Sequence, residues 1–268
     1  MADLAGARAF YERVIGLRVL EGDGSSVPLG TEDGRPLVEL AGDPDAPPRP
    51  RVSTGLFHLA LLLPDRVELA RCVRRVVEAG WRFTGASDHF VSEALYLDDP
   101  EGNGIELYRD RPRSEWTQEG GELKMGTIAL DLDDLMAQEP GGPDAGMPPR
   151  TTMGHVHLNV ADLGDTEAFY AGLLGLDVTV RGYPGALFLS AGGYHHHLGT
   201  NLWRGAGAPP PPPGSLGLRE FSFRLPSAAA VAEVRDRLGA AGVEAQESGG
   251  AVRAFDPSRN AVALLPPA

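Results

Sequence analysis

The sequence predicts an α+β protein of four β-α-β-β-β modules in two paired domains, and three observations carry that prediction. First, ADLAGARAFYERVIGLRV at 2–19 returns as ADLGDTEAFYAGLLGLDV at 161–178, with nine of eighteen positions identical at an offset of 159 and no gap. Self-similarity at that level divides the chain into two halves. Second, FHLALLLPDRVELARCVRRVVEAGWRF at 57–83 follows the same order as EFSFRLPSAAAVAEVRDRLGAAGVEAQ at 220–246: an alternating apolar strand, Leu-Pro, an amphipathic helix, Ala-Gly. Each half therefore divides again. Third, short β-like runs such as EALYLDD and NGIELYRD follow the helices and are separated by turn residues.

In chain order, module one covers about residues 1–45 and begins directly at ADL, without an opening strand. Module two, about 50–112, opens on the strand around His58. Its helix carries the apolar stripe Leu69, Ala70, Val73, Val76 and Val77. Asp65 with Glu68 three residues on resembles a capping box, and Gly80 stands where a C-terminal glycine belongs. Residues 113–149 contain EWTQEGGELKM, DLDDL and QEPGGPDAGMPP, and read as a linker with one short helix. Module three, about 150–205, opens on GHVHLNV. The proline run at 208–217 reads as a stiff polyproline spacer to module four, about 216–266. The expected domains are thus 1–112, a linker at 113–149, and 150–268.

The 268 residues suffice for about two domains. A formal net charge of −13 argues against nucleic acid or an anionic membrane surface as partner. The single cysteine, Cys72, falls on an apolar helical face and reads as buried filler rather than a nucleophile. No intramolecular disulfide can form, which fits a reducing compartment. No apolar run is long enough for a spanning helix, and the N-terminus has no basic head followed by an apolar block, so the expected location is cytoplasmic. EGNG and AGGY are turns rather than phosphate-cradling loops, and no GxSxG nucleophile motif is present.

Four such modules, with AFY and LGL after the first strand, resemble the vicinal oxygen chelate superfamily of glyoxalase I, bleomycin-resistance proteins and extradiol dioxygenases. Within it the chain is most similar to two-domain bacterial catechol 2,3-dioxygenase-like proteins. The segment GASDHFVSEALYLDDPEGNGIELYRDRP resembles the extradiol signature through His89, Leu95, Tyr96, Pro100, Gly102 and Glu106, with Ser87 as a small departure. AGGYHHHLGTNLW and the proline run also look like this subfamily.

The resemblance implies Fe(II), or alternatively Mn(II), held by two His and one carboxylate, with a small aromatic diol and O₂ as substrates. By register it implies His58 and Glu106 as metal ligands. In Ile105-Glu106-Leu107 the carboxylate points away from both apolar neighbours. Carried over in the same way, His89 is the acid–base group and Tyr96 the hydrogen-bond donor to substrate. The family's other His would lie on an opening strand of module one, hence before Met1; Glu39 in LVEL is the in-chain substitute, and metal binding is expected to be impaired. The unpaired strand edge invites self-association as a homo-oligomer. His155, His197 and Glu220 are candidates for a second metal site, with His195 and His157 nearby and Ala263 in place of a ligand carboxylate. Two other activities fit the same fold: non-catalytic binding of a small molecule, and a metal-dependent glyoxalase-like lyase or isomerase.

Overall fold

The computed structural model describes residues 1–21, 26–142 and 145–267. Two compact units emerge, one of residues 1–47 with 58–155, the other of 48–57 with 156–268. No described helix is long and apolar enough to cross a membrane.

In the first unit the chain starts with helix α1 (Leu4–Phe10), capped by the Asp3 carboxylate, and widens into a π-helical turn over Tyr11–Ile15. Strands β1 (Arg18–Val19), β2 (Ser26–Gly30) and β3 (Pro36–Ala41) form an antiparallel meander. Module two follows as β4 (Gly55–Leu62), α2 (Arg66–Glu78), β5 (Gly85–Asp88), β6 (Ser92–Asp98) and β7 (Gly104–Asp110). From His58 onward β4 runs parallel to β7, placing Ala60 opposite Glu106. The antiparallel pair β6–β7 sets Tyr96 opposite Glu106. Leu59, Leu61, Leu95, Leu97, Ile105 and Leu107 alternate onto the other face and pack on α2 residues Leu69, Cys72 and Val76. Cys72 is buried in that core, as its place on the apolar helix stripe implies.

The described residues of the 113–149 stretch, 113–142 and 145–149, carry short strands besides the one short helix. After the pair β8 (Gln118–Glu119) and β9 (Glu122–Leu123), strand β10 (Ile128–Ala129) joins β5, and helix α3 (Leu132–Met136) carries Leu135 into the core at 0% exposure. Met147 is buried too, with its N–H on the Gly16 carbonyl at 2.7 Å. The buried Arg75 guanidinium binds the Ile15 and Gly146 carbonyls at 2.9 and 2.5 Å. The Gly- and Pro-rich composition reads as a spacer, whereas the apolar Leu130, Leu135 and Met147 supply the burial that holds the segment down.

The strand β11 (Thr152–Asn159) opens module three, and its residues up to His155 belong to the first unit. In the second unit come α4 (Leu163–Glu167), a π-helical turn over Ala168–Leu173, β12 (Asp177–Val180), β13 (Ala186–Ser190) and β14 (Leu198–Asn201). Module four gives β15 (Phe221–Arg224), α5 (Ala228–Ala240), β16 (Ala245–Ser248), β17 (Ala251–Phe255) and β18 (Ala261–Leu265). Here β15 runs parallel to β18 as β4 does to β7. The proline run is anchored at its start, where the Pro209 carbonyl accepts the Thr54 N–H at 3.0 Å.

The repeated AFY tyrosines have a structural reason. Tyr11 donates its hydroxyl hydrogen to Asp99 at 3.3 Å, and Asp99 also accepts from the Asn103 backbone and side chain at 2.9 Å each. In the second unit Tyr170 donates to Asp256 at 3.0 Å, which accepts from Asn260 at 2.7 and 2.8 Å. Each clasp ties the helix of one module to the last hairpin of the next. Burial, then the adjacent carboxylate, pushes both tyrosine pKa values well up, so both remain hydroxyl donors. Tyr170→Phe removes one buried hydrogen bond and is expected to lower stability by about 1 kcal/mol. Urea unfolding checks this: the midpoint falls at unchanged slope, and an unchanged midpoint contradicts the clasp.

Candidate metal centre

The inner face of the first unit's sheet is built by strand alternation. His58, Ala60 and Leu62 on β4, Ala94 and Tyr96 on β6, and Glu106 and Tyr108 on β7 share one side. Ala60, Ala94 and Tyr108 form a small buried cluster, with Leu62 and Tyr96 against it. The two alanines leave the room that the larger polar side chains take up.

Three donors converge there. Glu106 is 3% exposed, and its Oε2 lies 3.0 Å from His58 Nε2 and 3.1 Å from His155 Nε2. All three residues are buried, with their donor atoms within 4.8 Å of one another. Burial pushes the Glu106 carboxyl pKa upward, but the His155 and then the His58 imidazole outweigh it and hold the group well below the usual carboxylate range. The carboxylate is therefore ionised at neutral pH. First-row metal bonds of about 2.1 Å at right angles place neighbouring donors about 3.0 Å apart, so the two measured contacts fit a facial set. Among the described residues this is the one group of three potential ligands.

His155 is the residue that the sequence places elsewhere. The expected partner of His58 and Glu106 lay before Met1, with Glu39 as substitute; instead β11 brings His155 to Glu106. Glu39 is exposed and accepts from Ser26 Oγ. A third potential donor thus stands on the opening strand of module three. Its delivery depends on Gly154. A Cβ there would lie 1.8 Å from the Tyr108 hydroxyl, and the Tyr108 ring stands 5.0 Å from that of His155.

The residues expected at a second site, His155, His197 and Glu220, each meet other partners. His155 is committed to Glu106, the exposed Glu220 pairs with Arg253, and His197 Nδ1 accepts the Ala191 N–H at 3.2 Å. His195–His197 precede β14, and His195 and His196 meet each other at 2.7 Å between Nδ1 atoms. His157 lies in an aromatic cluster of the second unit with Phe57, Phe188 and Trp203, at ring distances of 5.1, 5.8 and 5.4 Å.

His89 and Tyr96 stand together as the signature implies. His89 Nε2 is 2.7 Å from the Tyr96 hydroxyl, and the Tyr96 ring is 5.6 Å from that of His58. His89 Nδ1 faces the Gly126 carbonyl at 2.6 Å. Gly126 carries one signal in the sequence, a glycine between the apolar residues Met125 and Ile128, which periodicity does not interpret.

Comparison with known proteins agrees with this architecture. The model of the Glyoxalase/Bleomycin resistance protein/Dioxygenase superfamily matches residues 1–107 and 152–264. A catechol-2,3-dioxygenase of Bacillus subtilis (strain 168) is 43% identical over 252 residues, 92% of this chain and 88% of its own. Among solved structures, glyoxalase I from Zea mays aligns with a TM-score of 0.61 at 16% identity, over 99% of this chain and 89% of its own. The cppA protein from Streptococcus pneumoniae aligns at 0.57 and 10% identity, over 97% and 92%. At such identities the structural likenesses speak for the fold alone.

Gly154→Ala forces a methyl group against the Tyr108 hydroxyl. A loss of about 1–3 kcal/mol is expected from the overpacking. Thermal unfolding measures it, and a variant as stable as the parent contradicts the close approach.

Proposed function

The chain belongs to the Glyoxalase/Bleomycin resistance protein/Dioxygenase superfamily, and we propose that within it this protein is an Fe(II)-dependent extradiol dioxygenase that cleaves catechol or a substituted catechol with O₂. The observation that carries the reading is the convergence of one ionised carboxylate and two imidazoles on a buried face, at 3.0 and 3.1 Å. Two His and one carboxylate with open positions are the donor set of non-haem Fe(II) oxygenases. The 43% identity to a catechol-2,3-dioxygenase supports the same reading. Mn(II) suits the same donors.

His58, Glu106 and His155 are the residues that would hold the ion, and Glu106 contributes the negative charge of the set. When bound, the metal supplies a Lewis acid for the diol oxygens and an electron source that lets O₂ react with an aromatic ring. The protein's own residues then divide the remaining work. Ala60, Leu62, Ala94 and Tyr108 line an apolar floor that excludes water and strengthens the charge interactions above it. Tyr96, whose ring lies 5.6 Å from that of His58 and whose hydroxyl lies 2.7 Å from His89 Nε2, passes a substrate proton to that nitrogen. His89 both accepts and returns that proton. Ring opening beside the diol yields a semialdehyde.

Replacing His58, Glu106 or His155 by Ala is expected to abolish iron retention, read by metal analysis of purified protein. Iron content equal to the parent in His155→Ala contradicts the donor set. His89→Ala should keep iron and lose about 10²–10⁴-fold in rate with catechol, followed by oxygen uptake. Tight catechol binding without oxygen uptake in the iron-loaded parent marks a binding protein, and turnover under strict anaerobiosis marks a lyase or isomerase.

A further inference from the structure

His89 is gripped from a segment that lies outside the four modules. Its Nδ1 is 2.6 Å from the Gly126 carbonyl, with Thr127 Oγ1 further off at 3.4 Å. A carbonyl only accepts, so the hydrogen of that bond sits on Nδ1. A neutral ring then presents its lone pair at Nε2, and the Tyr96 hydroxyl at 2.7 Å is the donor. The direction of the Tyr96–His89 hydrogen bond is thus decided on the far side of the ring.

We propose that Gly126 is a positioning residue that fixes the proton of His89 on Nδ1 and so keeps Nε2 as the acceptor toward Tyr96. The reason for glycine is steric. A Cβ at 126 would come within 2.8 Å of Phe90 Cε2 and 3.4 Å of Cδ2. Phe90 has little freedom to give way. It holds a left-handed φ of 68°, unusual for a bulky residue, and its N–H is bound to Asp88 Oδ1 at 2.8 Å. Asp88 is in turn bound by Arg111 at 2.6 Å, and Lys124 Nζ lies 4.9 Å from the Phe90 ring centre. On the other side, pairing of Ile128 with Asp88 and Ala129 with Ser87 fixes the backbone just after Gly126. The carbonyl is therefore set by the strand pairing, and the Phe90 ring leaves no room for a side chain at 126. The 117–129 segment acts as a strap that chooses the tautomer.

This rests on the reading of His89 as the proton-transfer group, and the test keeps the two apart. Two-bond ¹H–¹⁵N correlations of the histidine rings in the full chain, before and after metal removal by chelator, report the tautomer directly. The parent is expected to show His89, assigned by its loss in His89→Gln, as the Nδ1–H form. In Gly126→Ala that signature should fade toward the Nε2–H form, and the catechol cleavage rate should fall tenfold or more at little-changed KM. Phe90→Gly makes room and suits the left-handed backbone, so Phe90→Gly/Gly126→Ala should regain the Nδ1–H form. A parent ring protonated on Nε2 overturns the proposal without any variant, as does a Gly126→Ala protein with the parent signature. A parent with the Nδ1–H signature but no oxygen uptake overturns the dioxygenase reading and leaves the role of Gly126 standing.

Discussion

A buried carboxylate is the constraint on which the first unit depends. Glu106 sits among strands with almost no exposure, and an ionised group there is costly unless opposite charge or donors meet it. The His58 and His155 imidazoles meet it from two different strands. That requirement fixes the parallel register of β4 on β7, since a slip of one residue turns Glu106 toward Leu61 and Ile105 in the core. It also explains the small residues nearby. Ala60 and Ala94 give way to the imidazoles and Tyr96, and Gly154 gives way to Tyr108.

The second unit shows the same scaffold without that constraint. Its Tyr170–Asp256–Asn260 clasp repeats Tyr11–Asp99–Asn103 bond for bond, so the hairpin geometry survives in both. At the register position of Glu106, β18 carries buried Ala263 opposite Ser222. With no carboxylate to neutralise, nothing requires imidazoles, and Glu220 turns outward to Arg253. The clasp belongs to the fold and the carboxylate to the site, which is why only the first is duplicated.

Much of this was legible in the sequence, for reasons that differ by residue. The modules follow from a repeat and from local periodicity, and both are properties of short windows. Tyr96 and Glu106 share a hairpin, so strand alternation and turn length place them together. His58 precedes the helix by a fixed spacing and follows from the module pattern. His155 is separated from Glu106 by 49 positions, and that pairing is not encoded in any local window. Local pattern groups His155 with His197 and Glu220, whereas the fold sets it against Glu106. The 113–149 segment was obscured by its Gly and Pro content, although Asp131 followed by Leu132, Leu135 and Met136 is a capped amphipathic turn. Backbone carbonyls such as that of Gly126 carry no side-chain signal at all, so the hold on His89 is visible only in three dimensions.

The central claim is that one divalent ion joins His58, Glu106 and His155. Anomalous diffraction at the iron absorption edge from anaerobically loaded crystals tests it most directly. A single strong peak bonded to His58 Nε2, His155 Nε2 and the Glu106 carboxylate is the expected result. A peak on other residues, or none at full iron occupancy of the solution, with Glu106 still held by the two imidazoles alone, contradicts it.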